Sequence, residues 1–340
     1  MEIEPFDVNE VSDDDLARLH RVVVEYYAEI LPDDPPSPFE RYAARVRYRW
    51  PWSETRRWVA RDGDRIVGEG VLSVSRNRPE NKHLAWGDVT VAADHRGQGL
   101  GRALAGPVID AAEEDGRTVL AFGAERDHPS VGFCRRLAGE PRITERISRL
   151  LLDEVDRVLV DEWIKKAPDR AEGYELGGFD GACPPEHVEA FAKAIAVMNT
   201  APREDFEIED EQTTPEMVEE WAKSNPALGI TPWVRWAIHG ETGEIAGYTE
   251  TMHDRWKPWE VNQGDTGVWP QHRERGLGRW LKADMLARVL DECPDARWID
   301  TGNAGSNRAM LAINDTLGFR PILWWQAWQA EIGQVRSALG

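Results

Sequence analysis

Basic residues are in short supply in this chain: 41 Lys and Arg stand against 61 Asp and Glu, a formal net charge of −20 over 340 residues. So acidic a surface repels phosphate backbones and anionic lipid, which argues against general nucleic-acid binding and peripheral membrane attachment and favours cationic small molecules. Cysteine is scarce too. Cys134, Cys183 and Cys293 are odd in number and far apart, so they form neither a disulfide framework nor a CxxC metal or redox pair, and a reducing compartment fits. No run of eighteen apolar residues occurs, and the acidic start Met1-Glu2-Ile3-Glu4-Pro5 lacks a positive segment followed by an apolar one, which predicts a cytoplasmic protein. The eight histidines show no HExxH spacing and no Gly-x-Ser-x-Gly elbow is present, so metal and covalent mechanisms lack support.

What is present suits a folded protein of two domains, with 41% apolar and 30% charged residues. An internal repeat supplies the division. Gly87, Asp88, Val91, His95, Arg96, Gly99, Leu100, Gly101 and Arg102 recur as Gly264, Asp265, Val268, His272, Arg273, Gly276, Leu277, Gly278 and Arg279, each pair 177 residues apart. Upstream, Trp58-Val59-Ala60 leading to Ile66-Val67-Gly68 matches Trp236-Ala237-Ile238 leading to Ile245-Ala246-Gly247, and both read as β-hairpins. Each copy then predicts a third strand, a fourth ending at the glycine segment, a helix, another strand, a short helix and a final strand. Ile143 to Leu152 and Ile322 to Trp328 are the expected final strands.

Leu277, Trp280, Leu281, Met285 and Val289 share one face of the second copy's helix. Its twin carries Leu100, Leu104, Val108 and Ala111, with Pro107 expected to kink or shorten it. The join is expected near residue 155, giving domains 1–155 and 156–340. The acidic run Glu204 to Glu211 reads as a solvated loop or helix approach, with a helix start at Thr214-Pro215-Glu216.

A strand followed by Arg273-Glu274-Arg275-Gly276-Leu277-Gly278-Arg279 places backbone N–H groups at a helix N-terminus, where glycine lets an anion come close. The partial positive charge of the helix end and the three arginines suit a pyrophosphate, reversing the acidic average locally. Neither copy has a Walker A lysine or the Gly-x-Gly-x-x-Gly spacing, which disfavours ATP and NAD. The pattern Arg-x-x-Gly-x-Gly, present as Arg96 to Gly101 and Arg273 to Gly278, resembles the acyl-CoA loop of the GNAT N-acetyltransferase superfamily. In the second copy Asn303 to Asn307, then Met310 to Phe319 ending in Leu-Gly-Phe, resemble that superfamily's second CoA-side element, with Asn307 at the usual asparagine. The two-domain layout is similar to that of mycothiol synthase and other bacterial tandem acetyltransferases. In the first copy Asp127 stands for Asn307 and Leu137-Ala138-Gly139 for Leu-Gly-Phe, so that copy is expected to be partly degenerate.

The resemblance implies an α/β (α+β) protein of two GNAT-like domains, each a mixed, mostly antiparallel twisted sheet flanked by helices. It further implies acetyl-CoA or another acyl-CoA as cosubstrate without a metal, a small-molecule amine as acceptor, no nucleic-acid or membrane partner, and a monomer or homodimer. The second domain would move an acetyl group by direct attack in a ternary complex. Cofactor contacts would come from Val268, Trp269, Arg273, Arg275, Gly276, Leu277, Gly278, Arg279, Asn303 and Asn307, and in the first copy from Arg96, Gly97, Gly99, Leu100, Gly101 and Arg102. Val268 or Trp269 would offer a backbone N–H to the thioester carbonyl, because Pro270 has none.

An alkylammonium of pKa about 10.4 is less than about 0.1% neutral at pH 7, so a base or an ordered water must take a proton. Asp265, with its twin Asp88, and Glu260 are the acidic candidates on the fourth strand; the bland alternatives are backbone satisfaction at a strand irregularity and a solvated strand-end charge. The tyrosine that this superfamily often uses to protonate the leaving thiolate is replaced by Asn314, and by Cys134 in the first copy. Asn314 can hydrogen-bond a sulfur but cannot restore a lost proton. Trp256 and Trp259 are candidates for gripping a cationic acceptor, against the alternative that they pack a hairpin or the domain interface, and Glu250 is a candidate for facing the acceptor, against simply facing solvent. Two other readings stay open: a non-catalytic CoA-binding, sensing or scaffolding protein, and a transferase for a longer acyl-CoA.

Overall fold

The computed structural model describes residues 1–340. In the first half of the chain, β1 (Glu2–Pro5), α1 (Asp13–Ile30) and α2 (Phe39–Arg47) precede a meander of β2 (Ser53–Asp62), β3 (Arg65–Ser75) and β4 (Leu84–Val91). α3 (Leu100–Glu114), β5 (Val119–Glu125) and α4 (Val131–Ala138) follow. The second half repeats this order, through β6 (Ile143–Leu151), α5 (Arg157–Arg170), β7 (Tyr174–Asp180), α6 (Val188–Ile195), α7 (Pro215–Ala227), β8 (Ile230–His239), β9 (Ile245–Asp254) and β10 (Glu260–Val268). It ends with α8 (Leu277–Glu292), β11 (Trp298–Ala304), α9 (Arg308–Leu317), β12 (Arg320–Glu331) and α10 (Ile332–Leu339).

The chain forms two compact units. One comprises residues 1–144 with 204–209 and 323–340; the other comprises 145–203 and 210–322. Strand order within the first is β1-β2-β3-β4-β5-β12, and within the second β6-β11-β10-β9-β8-β7. Only β4 with β5 and β10 with β11 run parallel, so each sheet is mixed and mostly antiparallel, flanked by helices. The predicted final strands both form, and each completes the sheet of the other copy: β6 pairs with β11 along Trp298–Ala304, and β12 pairs with β5 from Trp325 to Glu331. A cut near residue 155 follows the repeat in sequence, whereas the compact units follow this exchange of strands.

The acidic run is the expected loop, with most of its acidic side chains exposed, but it carries one buried anchor. Phe206 is buried and stacks on Trp86 at 5.4 Å, while the Glu207 N–H donates to Gln329 Oε1 at 2.8 Å. Asn81 and Glu209 exchange two hydrogen bonds at 2.6 and 2.9 Å. One aromatic anchor and a few side-chain partners hold this segment in the first unit despite its charge. Thr214 caps α7 as predicted, its hydroxyl accepting from Met217 N–H at 3.4 Å. α3 runs its 15 residues straight through Pro107, which removes one backbone donor without ending the helix.

Helix packing positions the glycine segments. On α8, Leu277 and Leu281 bury against Ala237, Ala246 and Tyr174, which holds the start of the helix directly under the end of β10. Leu281 is completely buried. Leu281→Ala is expected to lower stability by roughly 2–5 kcal/mol in urea unfolding, because the surrounding sheet cannot collapse into the void. A loss below about 1 kcal/mol would show that this contact does not hold α8 in place.

Candidate functional site

Four helices start with a side-chain cap: Ser12 for α1, Asp156 for α5, Thr214 for α7 and Asn307 for α9. The helices after the glycine segments do not. α3 and α8 begin at Gly99 and Gly276, both left-handed at φ 83° and 78°, with no side chain on their first N–H groups. Gly97 precedes the first cap at φ 73°; its twin Glu274 adopts φ 66°, a conformation that costs an L-residue of order 1–2 kcal/mol. Left-handed residues on either side of Arg275 turn successive amides to one side and form an anion-binding concavity. An added Cβ would meet nothing within 4 Å at Gly97 or Gly99, and at Gly276 only the Arg170 side chain from 3.7 Å, so neighbouring atoms do not crowd either left-handed turn.

Upstream of each cradle the parallel strands part. β10 pairs with β11 only over Glu260–Asn262 with Trp298–Asp300, although both continue, and β4 pairs with β5 only over Leu84–Trp86 with Val119–Ala121. On its other edge β10 stays bonded to β9, where the Trp269 N–H donates to Ala246 O at 2.9 Å. Antiparallel pairs alternate, so the Val268 N–H, one residue back, points away from β9 into the gap. Val268, not Trp269, therefore has an amide free to meet a carbonyl oxygen.

A bulge between Gln263 and Thr266 brings two carboxylates together beside that gap. The Asp265 N–H donates to Glu250 Oε1 at 3.4 Å, and the Tyr248 hydroxyl donates to Asp265 Oδ2 at 2.9 Å. Gly264 permits the approach, because a Cβ there would lie 2.7 Å from Glu250 Oε1. Burial, and then the neighbouring Asp265, push the Glu250 carboxyl well above the usual range; burial also raises Asp265, with the Tyr248 hydroxyl holding it back. Two such groups cannot both ionise freely, so the pair holds a proton near neutral pH. In the first copy Asp88 is pushed up to about 6 by burial and by Glu69, and Glu69 pairs with Arg57 at 2.9 Å.

The acetyltransferase (GNAT) family model matches residues 24–139, the first copy. A tandem GNAT protein from the clavulanic acid biosynthesis pathway, 26% identical, aligns over 98% of this chain and 98% of its own length with a TM-score of 0.77. Residues 24–139 thus match the GNAT acetyltransferase family, and the whole chain has the fold of a tandem GNAT protein. A GCN5-related N-acetyltransferase from Sphaerobacter thermophilus, 15% identical over 97% of this chain and 96% of its own, shares the fold with a TM-score of 0.70. So does the glucosamine N-acetyltransferase region of a fungal multi-domain GH3 β-N-acetylglucosaminidase, 12% identical over 97% of this chain and 38% of that one, TM-score 0.63. Comparison with curated proteins gives no match. Acyl transfer is the general activity of the family that residues 24–139 match, and no helix of the chain is long and apolar enough to cross a membrane.

The structure disperses several of the residues singled out from sequence. Glu260 forms an ion pair with Lys257 at the opposite end of β10 from the cradle, five residues from Asp265, about 16 Å along an extended strand. Trp256 lies at that end too, packed on Gly229 under the Arg255 guanidinium, and the Trp259 carbonyl accepts from Arg297 N–H. Neither tryptophan joins the carboxylate pair, whereas Glu250 does. The loop arginines also divide. Arg273 Nε donates to Val268 O at 2.9 Å and Nη2 to Thr200 Oγ1 at 2.6 Å, so its guanidinium ties down the strand end. Arg96 repeats the first contact with Val91 O at 2.9 Å but meets the Glu29 carboxylate at 2.7 and 2.8 Å. Arg102 reaches Gly340 O at 2.6 Å. Arg275 and Arg279 lie over the rings of Tyr174 and Trp163, exposed and without a carboxylate. Asn307 spends its side chain capping α9, and Asn303 accepts from Asn314 Nδ2 at 2.7 Å. Tyr248 was missed from sequence because only the bulge brings it opposite Asp265.

A carboxyl whose folded pKa is raised binds a proton that the unfolded chain releases, so its contribution falls as pH rises from about 4.3 through the folded value. Glu250→Gln removes that titration. The gap between the urea midpoints at pH 5 and pH 9 is therefore expected to be smaller, or inverted, in the variant relative to wild type. Equal gaps in the two proteins would mean that Glu250 is not held protonated.

Proposed function

We propose that the second copy transfers an acetyl group from acetyl-CoA to a primary amine of a small molecule, by direct attack within a ternary complex. The observation that carries this reading is the Glu250–Asp265 pair set at the bulge of β10, beside the outward Val268 amide. Asp265 takes the proton from the attacking nitrogen as the new N–C bond forms, with Glu250 sharing the load and Tyr248 orienting the carboxylate. Val268 N–H receives the carbonyl oxygen as negative charge develops on it. The uncapped start of α8, with Arg275 and Arg279, holds the diphosphate. A net charge of −20 draws a cationic acceptor and suits an amine.

The first copy is assigned a supporting role. Glu29 neutralises Arg96 and also approaches His128 Nε2 at 3.5 Å, so a carboxylate lies between the loop and the segment after β5. In the second copy the neutral Thr200 hydroxyl occupies the corresponding place. A CoA-binding protein without turnover is the second reading, favoured by the asparagine at position 314 in place of a phenol.

Calorimetric titration with acetyl-CoA, followed by mass spectrometry of an amine panel, separates these readings. Asp265→Asn is expected to lower kcat roughly 10²–10⁴-fold with little change in KM for acetyl-CoA. Gly276→Glu is expected to abolish turnover by filling the cradle with a carboxylate. Loss of turnover from Gly99→Glu instead would move the reaction to the first copy, and binding without any product would favour the second reading.

A further inference from the structure

Lys282 breaks the pattern of its helix. It is 3% exposed on α8, among the buried side chains of Leu281, Ala283 and Met285. It makes no hydrogen bond and no ion pair; its ammonium meets only the face of Phe319, at 5.2 Å. Burial alone pushes that ammonium down to about 7. On the strands packed against α8, Arg235 of β8 pairs with Asp284, Glu250 of β9 accepts from the Asp265 N–H and His253 of β9 lies beside Cys293; none of these groups bonds to Lys282. A leucine here would stabilise the core, and an unpaired buried charge is costly to keep unless something binds beside it.

The surroundings indicate what binds. Gly278, one turn before Lys282 on the same face, looks onto Val268 of β10 and Ile313 of α9, at 3.9 and 3.5 Å from an added Cβ. α8 and α9 share one core with Val261, Ile299 and Leu150, so that core lies on one face of β10, β11 and β6. By strand alternation Thr301 and Asn303 share the face of Ile299, and Ser148, opposite Thr301, shares that of Leu150. Two more buried polar atoms on this side lack a partner: Asn314 Oδ1 and Ser148 Oγ. Asn314 Nδ2 holds Asn303, and Asn314 O accepts from the N–H of Phe319, the residue under Lys282. Two unsatisfied polar atoms and a lysine ammonium without an ion pair therefore lie on this side of the sheet.

We propose that Lys282 is the acid of the second copy: its ammonium protonates the thiolate sulfur as the acyl–sulfur bond breaks. The proposal rests on reading the second copy as an acyl-CoA transferase. The acceptor ammonium first loses one proton to water; as the N–C bond forms from the neutral amine, the C–S bond breaks with its electron pair on sulfur, Asp265 takes the second proton from nitrogen and Lys282 gives one to sulfur. Exchange with solvent then restores both groups, so no further reactant is consumed. A donor with a pKa below the usual thiol value of about 8.5 gives up its proton to a thiolate readily. Asn314 cannot serve as the acid, but its free Oδ1 can accept from the resulting thiol. The first copy has no such device. Its twin positions are Ala105 and Cys134, and burial pushes the Cys134 thiol up to about 12.

Lys282→Met and Lys282→Arg test the role together, since arginine keeps the charge but cannot yield a proton near neutral pH. Both are expected to lower kcat roughly 10²–10³-fold while KM for acetyl-CoA changes by less than about threefold. In wild-type protein labelled with carbon-13 at lysine Cε, the Lys282 resonance is expected to move on adding CoA but not on adding desulfo-CoA, which lacks the sulfur; this measurement needs no variant. Full activity in either variant, or equal displacement by the two ligands, overturns the assignment while leaving acyl transfer in place. Absence of any acetyl-CoA binding to wild type would instead overturn the reading on which it rests.

Discussion

The parting of β10 from β11 is the constraint on which the second copy's chemistry depends. Two parallel strands that bond for three residues and then separate leave backbone groups on their inner edges that need partners from outside the sheet. Several local irregularities of this copy lie toward that opening: the bulge at Gln263–Thr266, the left-handed Glu274, the uncapped start of α8, the raised carboxyls of Glu250 and Asp265 and the unpaired Lys282. Any one of these would be a small defect in an ordinary domain. Concentrated on one line, they describe a surface built to be completed by a ligand.

Duplication preserved the backbone and not the chemistry. Both copies keep the strand divergence, the arginine that ties the strand end and the left-handed cap, because these are demands of geometry. Their side chains went separate ways. The first copy has the glycine at position 97 that its loop conformation prefers, yet Glu29 sits on its arginine; the second strains Glu274 into the same conformation and leaves Arg275 and Arg279 exposed. The family model matches the first copy, whereas the buried carboxyls of Glu250 and Asp265 and the buried Lys282 lie in the second. The exchange of final strands adds a further dependence, since the sheet built by the first half of the chain is closed by residues near the end, at a contact order that slows assembly.

Much of the fold is legible in the residues. Helical spacing around Leu277 and Leu281, hairpins before each glycine segment and the repeat itself predict the elements and their order, and Thr214 caps the helix that its sequence announces. Site residues divide by how local their signal is. The cradle is legible because glycine at a helix start is a local requirement. Glu250 and Asp265 were found one by one as acidic residues, but nothing in fifteen residues of separation reveals that a bulge sets them side by side. Glu260 and the two tryptophans have the right composition and lie at the wrong end of the strand.

The amino-acid order alone determined that the chain is a duplicated α/β protein with a glycine-started helix after the fourth strand in each half, because short-range periodicity and glycine placement act within a few residues of one another. Tertiary structure alone decided which sheet each final strand completes, which carboxyls are buried beside one another and which lysine is buried. Those outcomes depend on burial and on contacts between residues far apart in the chain, and neither dielectric surroundings nor strand register is written in any local stretch of sequence.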